Sequence, residues 1–188
     1  METNPIIEEL AAMAQLDLGP EQKAFFLQRA ADARPVECVP MREAFTPDQL
    51  RFLFQNTRYR TERKQCFKNA SMLVESADWM ATHYDCSTPA VKYVEGFAYA
   101  IGMLPIEHAF VKVGDVYVDP TFERALHLNV RNEKYVALIE LDCAEMCQLQ
   151  EESGYYGGLY EFLYRKQRKN RAPDESRARR SNTESDTR

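Results

Sequence analysis

Three residues of the chain have the chemistry of a nucleophile, a proton carrier and an orienting anion: Cys66, His108 and Asp119. A thiolate attacks electrophilic carbon, and an imidazole passes protons near neutral pH. A carboxylate behind the imidazole fixes its tautomer and stabilises its cation. These functions combine only if the chain brings the three side chains together.

The segment Glu107–Thr121 is built to do this for two of them. Val113-Gly114-Asp115-Val116 reads as a hairpin with a two-residue turn, because glycine accepts positive φ without steric cost. This turn predicts that Val113 faces Val116, Lys112 faces Tyr117, Val111 faces Val118 and Phe110 faces Asp119. Directly opposed residues share a face. Ala109, Val111, Val113, Val116, Val118 and Pro120 then form an apolar face for the core. His108, Phe110, Lys112, Tyr117, Asp119 and Thr121 form the other. His108 and Asp119 become diagonal neighbours, within reach of an imidazole–carboxylate hydrogen bond, and a slip of one residue would separate them. His83 and His127 have no comparable partner nearby and read as ordinary structural or surface residues.

Cys66 opens the longest helical pattern of the chain, residues 65–82, in the run Lys64-Gln65-Cys66-Phe67-Lys68-Asn69-Ala70. Unpaired N–H groups and the dipole at a helix start favour a thiolate, and Lys64 and Lys68 add positive potential. A first-turn N–H there can also hold an oxyanion. Taken alone, Cys66 reads first as a small buried hydrophobe, as most free cysteines do, and only second as a nucleophile. Cys38, Cys86, Cys143 and Cys147 lie in loops or on a late helix and have no equal claim.

The combination resembles the transglutaminase-like branch of the papain-like cysteine-enzyme superfamily. The residues that carry the resemblance are Cys66 with Asn69-Ala70, Tyr93-Val94-Glu95-Gly96-Phe97-Ala98, Glu107-His108-Ala109-Phe110 and Val118-Asp119-Pro120-Thr121, spanning about residues 60–125. The chain is also similar to small proteins of bacteria and their phages, which indicate no substrate. The resemblance implies an α+β fold in which the cysteine-bearing helix packs on an antiparallel sheet. It implies Cys66 as nucleophile, His108 as general base and acid, and Asp119 as the orienting group, with no cofactor or metal. A thiol-dependent hydrolase or acyl transferase working on a protein or peptide carbonyl follows. The position six before the cysteine, where papain-type enzymes place Gln, is Arg60. Gln65 is the first candidate for the missing oxyanion donor, ahead of Gln55 and Tyr59. The same scaffold with an inert site would instead serve as a protein-binding or inhibitory module.

Around this core, Asn4-Pro5, Gly19-Pro20 and Thr46-Pro47 each predict a helix start. Residues 34–45, with Pro35 and Pro40, read as a connecting loop. Ala90–Ala100 and Tyr135–Leu141 read as strands, Ala144–Glu152 as a helix, and Gly154, Gly157 and Gly158 as punctuation in an aromatic stretch ending at Tyr164. Helices first and last with consecutive strands between them predict an α+β arrangement with an antiparallel sheet. The expected divisions are a helical cover over 1–45, the Cys-His-Asp domain over 46–164 and a disordered basic tail over 165–188.

Composition narrows the class further. The 188 residues are 45% hydrophobic, enough for a sizeable core, and no apolar run reaches the length of a membrane span. The first residues show no basic-then-apolar leader. Five cysteines without framework spacing fit reduced thiols in a cytoplasmic protein, and Cys143 and Cys147 have no further ligands spaced for zinc. Residues 165–188 carry nine Lys/Arg and four Asp/Glu, a balance of +5, within a net charge of −5. The rest therefore stands at −10, which argues against a nucleic-acid ligand for the main domain. The tail reads first as a solvated, disordered segment, with contact to an acidic partner or a nucleic acid as the alternative there.

Overall fold

The computed structural model of the chain describes residues 4–57, 59–83, 88–99 and 104–170. In chain order the elements are α1 (Pro5–Met13), α2 (Pro20–Asp32), β1 (Arg34–Val36), α3 (Met41–Ala44), α4 (Pro47–Gln55), α5 (Cys66–His83), β2 (Val91–Tyr99), β3 (Ile106–Val113), β4 (Val116–Val118), β5 (Lys134–Leu141), α6 (Cys143–Ser153) and α7 (159–170). Local chemistry explains most of the starts. Asn4 accepts the Ile6 N–H ahead of Pro5, and Thr46 with Gln49 and Asp142 with Glu145 close reciprocal capping boxes on α4 and α6. Gly154 at φ +76° ends α6 in the left-handed conformation that glycine takes without strain.

The five strands form an antiparallel sheet in the order β1-β5-β2-β3-β4. Gly114 sits at φ +57° in the β3–β4 turn, and Val113 pairs with Val116, Lys112 with Tyr117 and Val111 with Val118. The sheet curls until its edges meet. Beyond β1, Cys38 bridges Tyr117 of β4, and the Val39 N–H donates to the Tyr117 carbonyl at 2.8 Å.

The curl gives the sheet a convex and a concave face, and both are buried. Tyr93, Ala109, Val111, Val113, Val118 and Leu141 pack with Ala70, Leu73, Val74, Ala77 and Met80 of α5, Leu53 of α4 and Met146 of α6. Val94, Ala98, Phe110, Tyr135 and Ala137 meet Cys38, Phe122 and Val130, the last two carried by the helical turns at 121–125 and 130–132. Each large apolar side chain so buried contributes about 1.5–3 kcal/mol. The charged residues of the concave face gather on Glu140, which accepts from Arg34 (2.9 Å), Lys112 (3.1 Å) and the Tyr117 hydroxyl (2.7 Å). A third cluster joins Ile6 and Leu10 of α1 to Phe97, Val136, Leu138 and Tyr160.

Three sequence expectations differ from the structure. Residues 34–45 are not a loop: they hold β1 and α3, and so the N-terminal segment supplies a strand as well as helices. Pro35 is accommodated because β1 lies at an end of the strand order, where a missing N–H costs little. The stretch after Gly158 is helical, and α7 continues through residue 170, past the boundary expected at 164, with Lys166 paired to Glu152 at 2.6 Å. Residues 171–188, and the tail and partner expectations that fall on them, lie outside the described residues, as does Cys86. Among the described residues no helix is long and apolar enough to cross a membrane.

Candidate active site

Cys66 is the first residue of α5. The chain enters that helix through Lys64, held at φ +61°, and the Gln65 carbonyl accepts the Asn69 N–H at 2.7 Å. The first turn of α5 contains no acidic residue, so nothing there offsets the positive end of its dipole. The Cys66 thiol is half-buried. Burial opposes its ionisation, but a hydrogen bond and the charge of His108, together with the backbone amides of Ala109 and Phe67, bring its pKa below the ordinary value.

His108 stands on β3 and is 1% exposed. Its Nε2 lies 2.7 Å from Asp119 Oδ2, which leaves Nδ1 as the ring nitrogen for the Cys66 sulfur. Burial works against the imidazolium, yet Asp119 by charge and hydrogen bond, with Cys66 added, raises the His108 pKa to about 10. The two shifts describe one event: a proton held by imidazole at the expense of the thiol, shared within a coupled pair.

Asp119 is fully buried, and four donors satisfy it. Oδ1 accepts the N–H groups of Thr121 (2.9 Å) and Phe122 (3.0 Å); Oδ2 accepts from His108 and from the Tyr135 hydroxyl (3.2 Å). A carboxylate so surrounded can remain charged in the interior. Burial and the Asp119 charge both raise the Tyr135 pKa, so this hydroxyl stays protonated as a donor. The Phe122 ring, 4.6 Å from the imidazole between centroids, and Phe110, at 6.5 Å, close the pair off from water.

The structure thus brings Cys66, His108 and Asp119 into one chain of contacts. Other thiols behave differently. Burial pushes Cys38 well up, Cys143 to about 12 and Cys147 upward. Among the described cysteines only Cys66 is shifted toward the thiolate. Gln65 and Gln55 are exposed. Tyr59 is fully buried with a hydroxyl that has no partner, and Arg60 donates to the carbonyls of Phe54 and Tyr59. His83 stacks on Trp79 at the far end of α5, and His127 sits at φ +57° in a loop. No cluster of three or more metal-ligating side chains converges among the described residues.

Sequence reasoning gave no role to Tyr135, which lies 16 positions after the aspartate it serves and carries no local signal. It also left unassigned the amide of Asn69, which donates to Thr121 Oγ1 at 2.9 Å and ties the cysteine helix to the aspartate turn. The spacing of Asn69 three residues after Cys66, on one helix face, was the available clue.

Fold and site together define an α+β protein with a buried Asp–His pair set against a helix-start cysteine. Compared with protein-family models, curated proteins and solved structures, the chain matches none.

Proposed function

We propose that the protein is a thiol-dependent hydrolase or acyl transferase with a papain-like, transglutaminase-like core, acting on an amide or ester carbonyl of a protein or peptide. The observation that carries this reading is the line Asp119–His108–Cys66, in which Cys66 alone among the described cysteines is shifted toward the thiolate. In this reading the Cys66 sulfur attacks the carbonyl carbon, a C–S bond forms and the carbonyl electrons move onto oxygen. First-turn N–H groups of α5 receive that oxyanion. The His108 imidazolium passes its Nδ1 proton to the departing amine or alkoxide, and the C–N or C–O bond breaks to leave a thioester on Cys66. His108, now neutral, takes a proton from the incoming water or amine as it attacks the thioester; the C–S bond then breaks, releasing the acid or new amide and returning the Cys66 thiolate beside the His108 imidazolium. Asp119 holds the ring with Nδ1 toward the sulfur throughout.

The test is acylation with p-nitrophenyl acetate near neutral pH, followed by mass spectrometry of the intact chain and its peptides. The expected result is nitrophenolate release with an acetyl group on Cys66, and neither in Cys66→Ala. Discharge of the adduct by water alone, or faster with an added alkyl amine, separates hydrolysis from transfer. Acetylation of Cys66 no faster than that of Cys147 would favour the inert, protein-binding scaffold instead.

A further inference from the structure

A narrow cleft is lined by residues that adjoin the proposed nucleophile and its histidine, though not by Cys66 or His108 themselves. Phe67, the residue after Cys66, lines it, as do Gly96, which pairs with His108 across β2 and β3, and Glu107, which precedes His108. Arg29 of α2 enters it from the N-terminal helices and is 8% exposed. Its guanidinium is fixed between the rings of Phe25 (4.2 Å) and Phe97 (5.3 Å), and Nη2 donates to Glu107 at 2.5 Å. The Nε–H is buried and has no acceptor. Buried polar groups nearly always have a partner, so an exception in the wall of a cleft needs a reason.

The other polar groups of the wall are satisfied. Glu95 accepts from the Leu159 and Tyr160 N–H groups and from the Tyr93 hydroxyl, Glu107 accepts from Arg29, and Glu161 pairs with Arg165. The group left without a partner is the Arg29 Nε–H. The free volume of the cleft, about 10 Å3, admits one oxygen atom. Three carboxylates, set against the guanidinium groups of Arg29 and Arg165 that are both already engaged, disfavour a second anion, so the oxygen is neutral.

We propose that Arg29 is a substrate-positioning residue: its Nε–H donates to a neutral amide carbonyl of the substrate, seated in this cleft while the reacting carbon faces Cys66. The assignment rests on the cysteine-enzyme reading and names its ligand class, a peptide or other amide rather than an acid. In the resting protein one water fits the same space, and the carbonyl displaces it.

The experiment compares two reagents at Cys66 in the full chain, with site-resolved mass spectrometry. Iodoacetamide carries an amide carbonyl; the thiolate forms a C–S bond at its methylene and iodide leaves. Methyl methanethiosulfonate carries no carbonyl; the thiolate forms an S–S bond and methanesulfinate leaves. Arg29→Lys is the informative variant, because lysine keeps the charge for Glu107 and puts a methylene where Nε was. Arg29→Met removes charge and donor together, and circular dichroism reports whether each variant is folded. The expected result is a loss of about tenfold in the iodoacetamide rate for Arg29→Lys, the size of one hydrogen bond from a charged donor, with the methanethiosulfonate rate kept within about twofold. Arg29→Met should show the same selective loss. Equal losses with both reagents, or none with iodoacetamide, overturn the assignment and leave Nε–H to a water. Slow reaction of the parent Cys66 with both reagents, no faster than glutathione, is a different failure: it removes the enzyme reading and this one with it.

Discussion

The side-chain amide of Asn69 donates to the hydroxyl of Thr121 at 2.9 Å, in a place where neither residue is more than 3% exposed. Asn69 also exchanges two hydrogen bonds with the Glu62 backbone, and Thr121 gives its N–H to Asp119. One amide therefore couples the loop before Cys66, the helix that bears it and the turn that holds its distal carboxylate.

Asn69→Ala should cost about 3 kcal/mol in urea unfolding, since it leaves several buried groups unpaired, and Thr121→Val about 1 kcal/mol. The double mutant should lose less than the sum, because the pair shares one bond. Strict additivity would mean that the two residues act separately.

Asp119→Asn and Asp115→Asn set the buried aspartate against the exposed one in the turn of the same hairpin. In Asp119→Asn the amide oxygen can still accept the Thr121 and Phe122 N–H groups, so the fold should hold. The amide nitrogen cannot accept from His108 or Tyr135. The rate of Cys66 acylation should fall by roughly 100-fold or more, as expected when an orienting carboxylate is neutralised, while Asp115→Asn changes little. Similar rates in the two variants would disconnect Asp119 from the reactivity of Cys66.

How far the site was legible follows from where its information lies. The His108–Asp119 pairing is written in Gly114-Asp115 and the alternation around them, because a two-residue turn admits one register. The start of α5 shows in the helical period after Lys64. By contrast, α7 has no capping residue of its own. Its first N–H groups, those of Leu159 and Tyr160, are taken by Glu95, 64 and 65 positions earlier on β2. No local rule can supply a cap from that distance. β1 was hidden by Pro35, which reads as a breaker until the strand is known to lie at an edge. Tyr135 and Arg29 reach the site through tertiary packing alone.

The pH dependence of Cys66 alkylation should separate the thiol's burial from its partner. Burial raises the thiol pKa and His108 lowers it, with the net result below the ordinary 9.0. The alkylation rate should therefore rise with a midpoint below 9.0. In His108→Gln only burial and the backbone amides remain, and the midpoint should move upward. A midpoint that stays in place would show that the helix start, not the imidazole, sets the acidity of Cys66.

Gly157 and Gly96 are both places where another atom occupies the space of a side chain. A Cβ at Gly157 would lie 2.3 Å from the Phe67 ring, and one at Gly96 would lie 1.9 Å from the Val136 carbonyl oxygen. Phe67 can turn aside, so Gly157→Ala should cost about 1–3 kcal/mol, measured by urea unfolding, and slow Cys66 acylation by displacing its neighbour. The β5 backbone cannot yield in the same way, and Gly96→Ala should fail to give folded protein. Gly19→Ala, with nothing within 4 Å, is the silent control.

Glu140 predicts how the curled sheet fails in acid. Burial alone would raise its pKa, but hydrogen bonds from Tyr117, Arg34 and Lys112 and the charge of Lys112 outweigh it and bring the value to about 2, against an ordinary 4.5. A carboxyl whose folded pKa is depressed adds stability that is complete above its unfolded pKa and lost as the pH falls through the folded one. The Glu140 contribution should therefore be present above about pH 4.5 and disappear on the way to about pH 2. Arg34 belongs to β1 and Tyr117 to β4, the two strands between which residues 36–39 close the sheet, so this loss should loosen the closure. Glu140→Gln lacks the charge at every pH. It should be less stable than the parent at neutral pH, and the difference in Tm between the two should shrink steadily from pH 5 to pH 2. If the difference stays constant across that range, Glu140 is not the group that titrates, and the closure depends on packing around Cys38 and Tyr117 instead.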